Sequence, residues 1–96
     1  MKRVRVIISG RVQGVWFRGW TIEQARARNL DGWVRNRRDG TVEAEFQGKD
    51  SQVDDMLEAC WQGPPHALVA EVELHPQEAD DEPLEAGFHV RRPFWR

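Results

Sequence analysis

The sequence predicts an α+β sandwich of order β-α-β-β-α-β with a short terminal strand, in which two helices cover one face of an antiparallel sheet. Three observations lead to that architecture. Segments around residues 4–8, 42–46 and 70–74 alternate apolar and polar side chains with the period of a half-buried strand. Two intervening segments place apolar residues at helical spacing. Asp39-Gly40, a dipeptide that favours a tight hairpin, separates the second strand from the third.

The elements follow in order. Val4, Val6 and Ile8 alternate with Arg3, Arg5 and Ser9, so the first strand has one buried face. Phe17, Trp20, Thr21 and Ala25 then form a helical stripe, and Asn29 stands where a left-handed residue is needed to end the helix. Leu30 to Arg38 reads as the second strand. In the third, Val42, Ala44 and Phe46 face the core while Glu43, Glu45 and Gln47 face water. Ser51-x-x-Asp54 resembles a capping box, and Val53, Met56, Leu57, Cys60 and Trp61 make the apolar stripe of a second helix, which Gly63-Pro64-Pro65 ends. Ala70, Val72 and Leu74 define a fourth strand bounded by Pro76. An acidic connection over 78–85 leads to a short strand at Phe88 and Val90. The expected division is a single domain over residues 1–91 and a C-terminal tail over 92–96.

Ninety-six residues suffice for one compact core that hides roughly 60–70% of the unfolded surface. A single cysteine cannot form an internal disulfide, and the charged start of the chain does not resemble a signal peptide, so a cytoplasmic location is expected. No run approaches the ~18 apolar residues of a membrane span, and no membrane partner is expected. The net charge of −2 conceals an asymmetry. Residues 1–38 hold ten basic against two acidic side chains, net +8, and residues 39–96 hold four against fourteen, net −10. A basic first half suits an anionic ligand, a solvated face or a nucleic-acid footprint, and charge alone does not choose among them.

The segment Gly10-Arg11-Val12-Gln13-Gly14-Val15-Trp16-Phe17-Arg18 joins the first strand to the first helix and narrows the choice. Gly10 and Gly14 can take positive φ, which lets the intervening amides converge into an anion-binding nest. The helix start adds its unsatisfied amides and the positive end of its dipole. Arg18 adds a planar, permanently charged fork suited to phosphoryl oxygens. Glycine pairs at strand-to-helix turns are also common without any ligand. The segment is neither a P-loop nor a dinucleotide fingerprint. Asn36, of the same parity as Val34 and just before the hairpin, is a neutral donor and acceptor near the same end of the sheet. On spacing alone, an asparagine there more often bonds only its own backbone than takes a catalytic role.

Together with Gly32-Trp33-Val34-Arg35-Asn36-x-x-Asp39-Gly40-Thr41-Val42-Glu43, the loop resembles the paired signatures of the acylphosphatase family, and the likeness extends over almost the whole chain. The resemblance implies a ferredoxin-like sandwich that hydrolyses the carboxyl-phosphate bond of acyl phosphates without metal, cofactor or covalent intermediate. It implies Arg18 and Asn36 as catalytic residues. The amides of Gln13, Gly14, Val15, Trp16 and Phe17 would bind substrate, and Asn36 would orient the attacking water. It implies a small-molecule substrate and a monomer, with no nucleic acid. Asn29 stands where the family commonly has glycine, and Arg37 and Arg38 follow Asn36 and widen the positive field. Trp16 is expected to pack beside the loop, the alternative being that it lines the mouth of the pocket.

Other readings were weighed. The same sandwich hosts RNA-binding modules, but the third strand carries two carboxylates in place of an RNA-recognition run. A non-catalytic phosphate-ligand-binding relative, like the first domain of hydrogenase-maturation carbamoyltransferases, would be followed by further domains, and a free-standing enzyme is expected instead. Cys60 is expected in the core, and His66, His75 and His89 lack metal-ligand spacing.

Overall fold

The computed structural model describes residues 1–77 and 82–92, so parts of the acidic connection expected at 78–85 and of the tail expected at 92–96 lie outside the described residues. The elements are β1 (Lys2–Arg11), α1 (Phe17–Ala27), β2 (Asp31–Asn36), β3 (Val42–Gly48), α2 (Asp50–Gln62), β4 (Leu68–Pro76) and β5 (Phe88–Val90). They form one five-stranded sheet of order β4-β1-β3-β2-β5. β1 pairs antiparallel with β3 and β4, and β2 antiparallel with β3. The short β5 joins β2 in parallel, which makes the sheet mixed rather than wholly antiparallel.

The core lies between the helices and one sheet face. Val4, Val6 and Ile8 of β1, Val34 of β2 and Val42, Ala44 and Phe46 of β3 meet Phe17 and Ala25 of α1 and Val53, Met56 and Cys60 of α2 there. Thr21 is also buried, and its hydroxyl donates to the Phe17 carbonyl at 2.8 Å. Trp61 departs from the expected stripe and is half exposed, because it lies at the edge of the α2 face rather than on it.

Helix boundaries follow from where backbone groups find partners. Asn29 takes φ 56°, and this left-handed turn brings the amides of Asn29 and Leu30 back onto the Arg26 and Ala25 carbonyls at 3.1 and 3.0 Å. Leu30 is thereby delivered to the core. The expected capping box does not form. α2 begins two residues earlier, with Lys49 as N-cap and no side-chain cap bond, because the Lys49 carbonyl takes the Val53 amide at 2.9 Å. Ser51 therefore sits inside the first turn, and Asp54 is held by Lys2 at 2.5 Å.

The opposite face of β3 was expected to be wet, yet Glu43 and Glu45 are each only 6% exposed. Arginines from both neighbouring strands cover them. Glu43 accepts Arg5 of β1 and Arg35 of β2, each at 2.7 Å, and Glu45 pairs with Arg3 and accepts the Trp33 indole N–H at 3.2 Å. Arg91 stacks over Trp33 at 4.1 Å, while its amide extends the pairing beyond β5 by donating to the Val34 carbonyl at 2.8 Å. No helix among the described residues is long and apolar enough to cross a membrane.

Candidate active site

The site begins where β1 leaves the sheet. A register shift against β4 at Ser9 and Gly10, with φ 117° at Gly10, turns the chain. Val12 is buried and anchors the loop from below, Gly14 takes φ 75°, and Trp16 closes the segment in a left-handed conformation (φ 66°, ψ 27°). The Trp16 carbonyl accepts the Trp20 amide at 3.0 Å, so α1 starts at Phe17, which is buried and meets Trp20 edge to face at 5.3 Å. With both ends of the loop fixed by core side chains, the amides of residues 13–19 have no hydrogen-bond partner among the described residues. Such a row of free donors at a helix start is an anion seat in the geometric sense.

The β2–β3 connection forms the second wall. Asp39-Gly40 does make the turn, but the loop spans five residues, 37–41, since the last strand pair is Asn36 with Val42. The Arg37 amide donates to the Thr41 carbonyl at 2.8 Å and the Gly40 amide to the Arg37 carbonyl at 3.2 Å. Asp39 Oδ1 accepts both the amide and the hydroxyl of Thr41, at 3.1 and 2.6 Å. These bonds, the hydroxyl's above all, hold the Asp39 carboxyl below the usual carboxylate range. Arg37 lies 3.8 Å from Asp39.

Gln13 joins the two walls. Its side-chain amide donates to the Arg37 carbonyl at 2.8 Å and to the Thr41 carbonyl at 2.9 Å, so it takes up the remaining acceptor capacity of the same two carbonyls that close the turn. The sequence suggested Gln13 only as a backbone donor. The role of its side chain had no signature there, because its partners are main-chain atoms.

A cleft of about 290 Å³ lies between the walls, and Gln13, Gly14, Trp16, Phe17, Arg18 and Asn36 all line it. Val15 does not, because its side chain packs against the core. Arg18 is exposed and forms no hydrogen bond or ion pair with the described residues. Asn36 is half-buried on the Val34 face of β2, and its carboxamide bonds neither its own backbone nor any described side chain. Val12, Gly19, Ile22 and Val90 complete the described lining and were not foreseen as part of it. The Trp16 indole lies over Gly19, where a Cβ would fall 2.1 Å from its Nε1, and it also lines the cleft, so the expectation of packing alone is corrected.

A larger hollow of about 360 Å³ occupies the opposite sheet face beside Arg3, Trp33, Glu45, Glu82 and Arg91. Size is a poor guide here, since Arg3, Glu45 and Trp33 are already bonded to one another or to their surroundings, whereas the smaller cleft holds Arg18 and Asn36, whose side chains have no partner among the described residues. Among the described residues no three His, Cys, Asp or Glu side chains gather as a metal site.

A profile of the acylphosphatase family matches residues 4–90, from β1 through the loop, Asn36 and β5. The chain belongs to the acylphosphatase family. Acylphosphatase of Rhodospirillum rubrum is 55% identical over 83 residues, covering 86% of this chain and 91% of that one. The crystal structure of acylphosphatase from Bacillus subtilis, 33% identical, superposes with a TM-score of 0.89 over 96% of this chain and 100% of the other. An acylphosphatase from Coxiella burnetii, 34% identical, gives 0.86 over 94% and 92%. The ferredoxin-like sandwich expected from the strand and helix order is thus the fold of this acylphosphatase-family chain.

Proposed function

We propose that this protein hydrolyses acyl phosphates to a carboxylate and inorganic phosphate, with residues 13–19 and Arg18 holding the phosphoryl group and Asn36 orienting the attacking water. One observation carries the assignment of roles: the unpartnered amides, the unpaired Arg18 and the unbonded Asn36 carboxamide meet in one cleft. The amides and guanidinium supply preorganised positive charge to the equatorial phosphoryl oxygens, where charge spreads in the transition state. The Asn36 carboxamide accepts from water with its oxygen and fixes its line of attack on phosphorus. As the new P–O bond forms, the bond to the acyl oxygen breaks and the carboxylate leaves with the electron pair. The water proton passes to a phosphoryl oxygen. No described lining residue is a carboxylate, thiol or imidazole, which supports that oxygen as the proton acceptor. The site is built from one chain, consistent with a monomer, and we place its work in the cytoplasm.

The test is hydrolysis of benzoyl phosphate and acetyl phosphate by the wild type, Arg18→Ala and Asn36→Ala. Each variant is expected to lose at least ~10²-fold in kcat, the scale for removing a preorganised transition-state donor. A chelator should leave the wild-type rate unchanged, because the described residues of the cleft offer no metal-ligating side-chain set. Unchanged rates in both variants would overturn the assignment of roles, and a wild type inactive on both substrates would overturn the function.

A further inference from the structure

The cleft has two chemical halves, and only the polar half is used above. Among the described residues of its lining Arg18 carries the one charged side chain, and the function proposed above commits it to the phosphoryl end. The other half consists of Trp16, Ile22 and Val90. Trp16 and Val90 are 59% and 49% exposed, which places two large apolar surfaces in water at the rim of one cleft. The indole is held in place rather than free. It rests on Gly19, three residues along the helix, where any Cβ would collide with it. Its backbone adopts a left-handed conformation that bulky residues rarely take. A strained, exposed and positioned aromatic ring is poorly explained by packing, since packing would bury it.

We infer that Trp16, with Ile22 and Val90, forms an apolar subsite for the acyl group, and that the protein selects acyl phosphates with aromatic or bulky apolar acyl groups over small or anionic ones. This rests on the function proposed above. An acyl phosphate is itself two-ended, and seating its phosphoryl group in the polar half directs the acyl group toward the indole. A flat acyl group can stack on the ring while it covers Val90. An acyl group bearing a second carboxylate meets no further cation among the described lining residues.

The experiment compares kcat/KM for benzoyl phosphate, acetyl phosphate and succinyl phosphate across the wild type, Trp16→Asn, Trp16→Phe and Val90→Ser. Asparagine tolerates the left-handed backbone, so Trp16→Asn removes the ring while keeping the loop geometry. The readout is the change in the benzoyl:acetyl ratio between variants, which cancels the intrinsic reactivities of the two anhydrides. Trp16→Asn is expected to lower that ratio about 10-fold, the scale of a stacked aromatic contact with its buried area. Trp16→Phe should retain most of it, and Val90→Ser should lower it by about 3-fold. Succinyl phosphate should follow acetyl phosphate. An equal loss on all three substrates in Trp16→Asn, or an unchanged ratio, overturns the subsite while leaving the hydrolytic function standing. A wild type that cleaves none of them overturns the function and the subsite together.

Discussion

At the scale of single residues, the site depends on a side chain that touches neither end of the substrate. Gln13 spans from the anion-binding loop to both carbonyls of the 37–41 turn, and Asn36 is the residue directly before that turn. Under the proposed mechanism it is therefore a positioning residue, which sets the spacing between the loop and the Asn36 carboxamide. Gln13→Ala is expected to cost about 1–3 kcal/mol in urea unfolding, from two lost bonds of about 0.5–1.5 kcal/mol each. It should also lower kcat by ~10-fold or more, because misplacement near 1 Å suffices for such losses. Gln13→Asn falls short of the carbonyls and should behave alike. Gln13→Glu, which faces two carbonyls with an acceptor, should be worse than alanine in both measurements. Wild-type kcat in Gln13→Ala would show that the walls keep their spacing without the tie. The placement of Arg18 and Asn36 beside one cleft was legible in the sequence, because each stands at a recognisable strand or helix end. Gln13's tie and Trp16's left-handed backbone were not, since both depend on where main-chain atoms of distant segments lie.

At the scale of elements, the strands and helices were legible where one face of each is apolar, as in Val42, Ala44 and Phe46 of β3 or Val53, Met56 and Cys60 of α2. The polar faces were misread. Alternation marks Glu43 as facing away from the helices, but it does not reveal that Arg5 and Arg35 arrive from the two flanking strands to bury it. That depends on the sheet order β1-β3-β2 and on register, which places Arg35 directly opposite Glu43 and Arg5 one diagonal step away. The start of α2 was misplaced for a related reason, since Lys49 caps it with a backbone carbonyl rather than a recognisable side chain. Glu43→Ala removes the carboxylate that links three strands and leaves two guanidiniums facing each other. Their side chains remain 30% and 17% exposed, so the expected loss is about 1–3 kcal/mol, short of the 3–5 kcal/mol of a sealed pair. Urea midpoints at low and high salt would measure it, and a variant as stable as the wild type would reduce the network to a surface feature. Because the network lies on the sheet face away from the cleft, kcat on benzoyl phosphate should change less than ~3-fold.

At the scale of the whole molecule, the shared core predicts that the cleft and α2 open together. Val12 and Phe17, which fix the two ends of the loop, belong to the same buried cluster as Cys60 on α2. Cys60 is the only thiol in the chain, it is fully buried, and burial pushes it from 9.0 up to about 12. A group that holds its proton more tightly when folded favours folding fully below its unfolded value. That contribution is lost as pH rises from 9.0 toward about 12, so the stability gap between wild type and Cys60→Ala should narrow over that window. At neutral pH the thiol reacts with a soluble thiol reagent only after the core opens, which makes labelling a clock for opening. If phosphate binds in the cleft as proposed, it stabilises the folded state by about 2.7 kcal/mol at a hundred times its Kd. If α2 opens only with the whole sandwich, inorganic phosphate at that concentration should slow Cys60 labelling about 100-fold, the same free energy expressed as a rate. Arg18→Ala at the same phosphate concentration should lose most of that protection, because the anion seat lacks its guanidinium. Labelling indifferent to phosphate in a wild type that binds it would mean that α2 lifts from the sheet alone, and that the loop's anchors and the Cys60 helix do not share one cooperative unit.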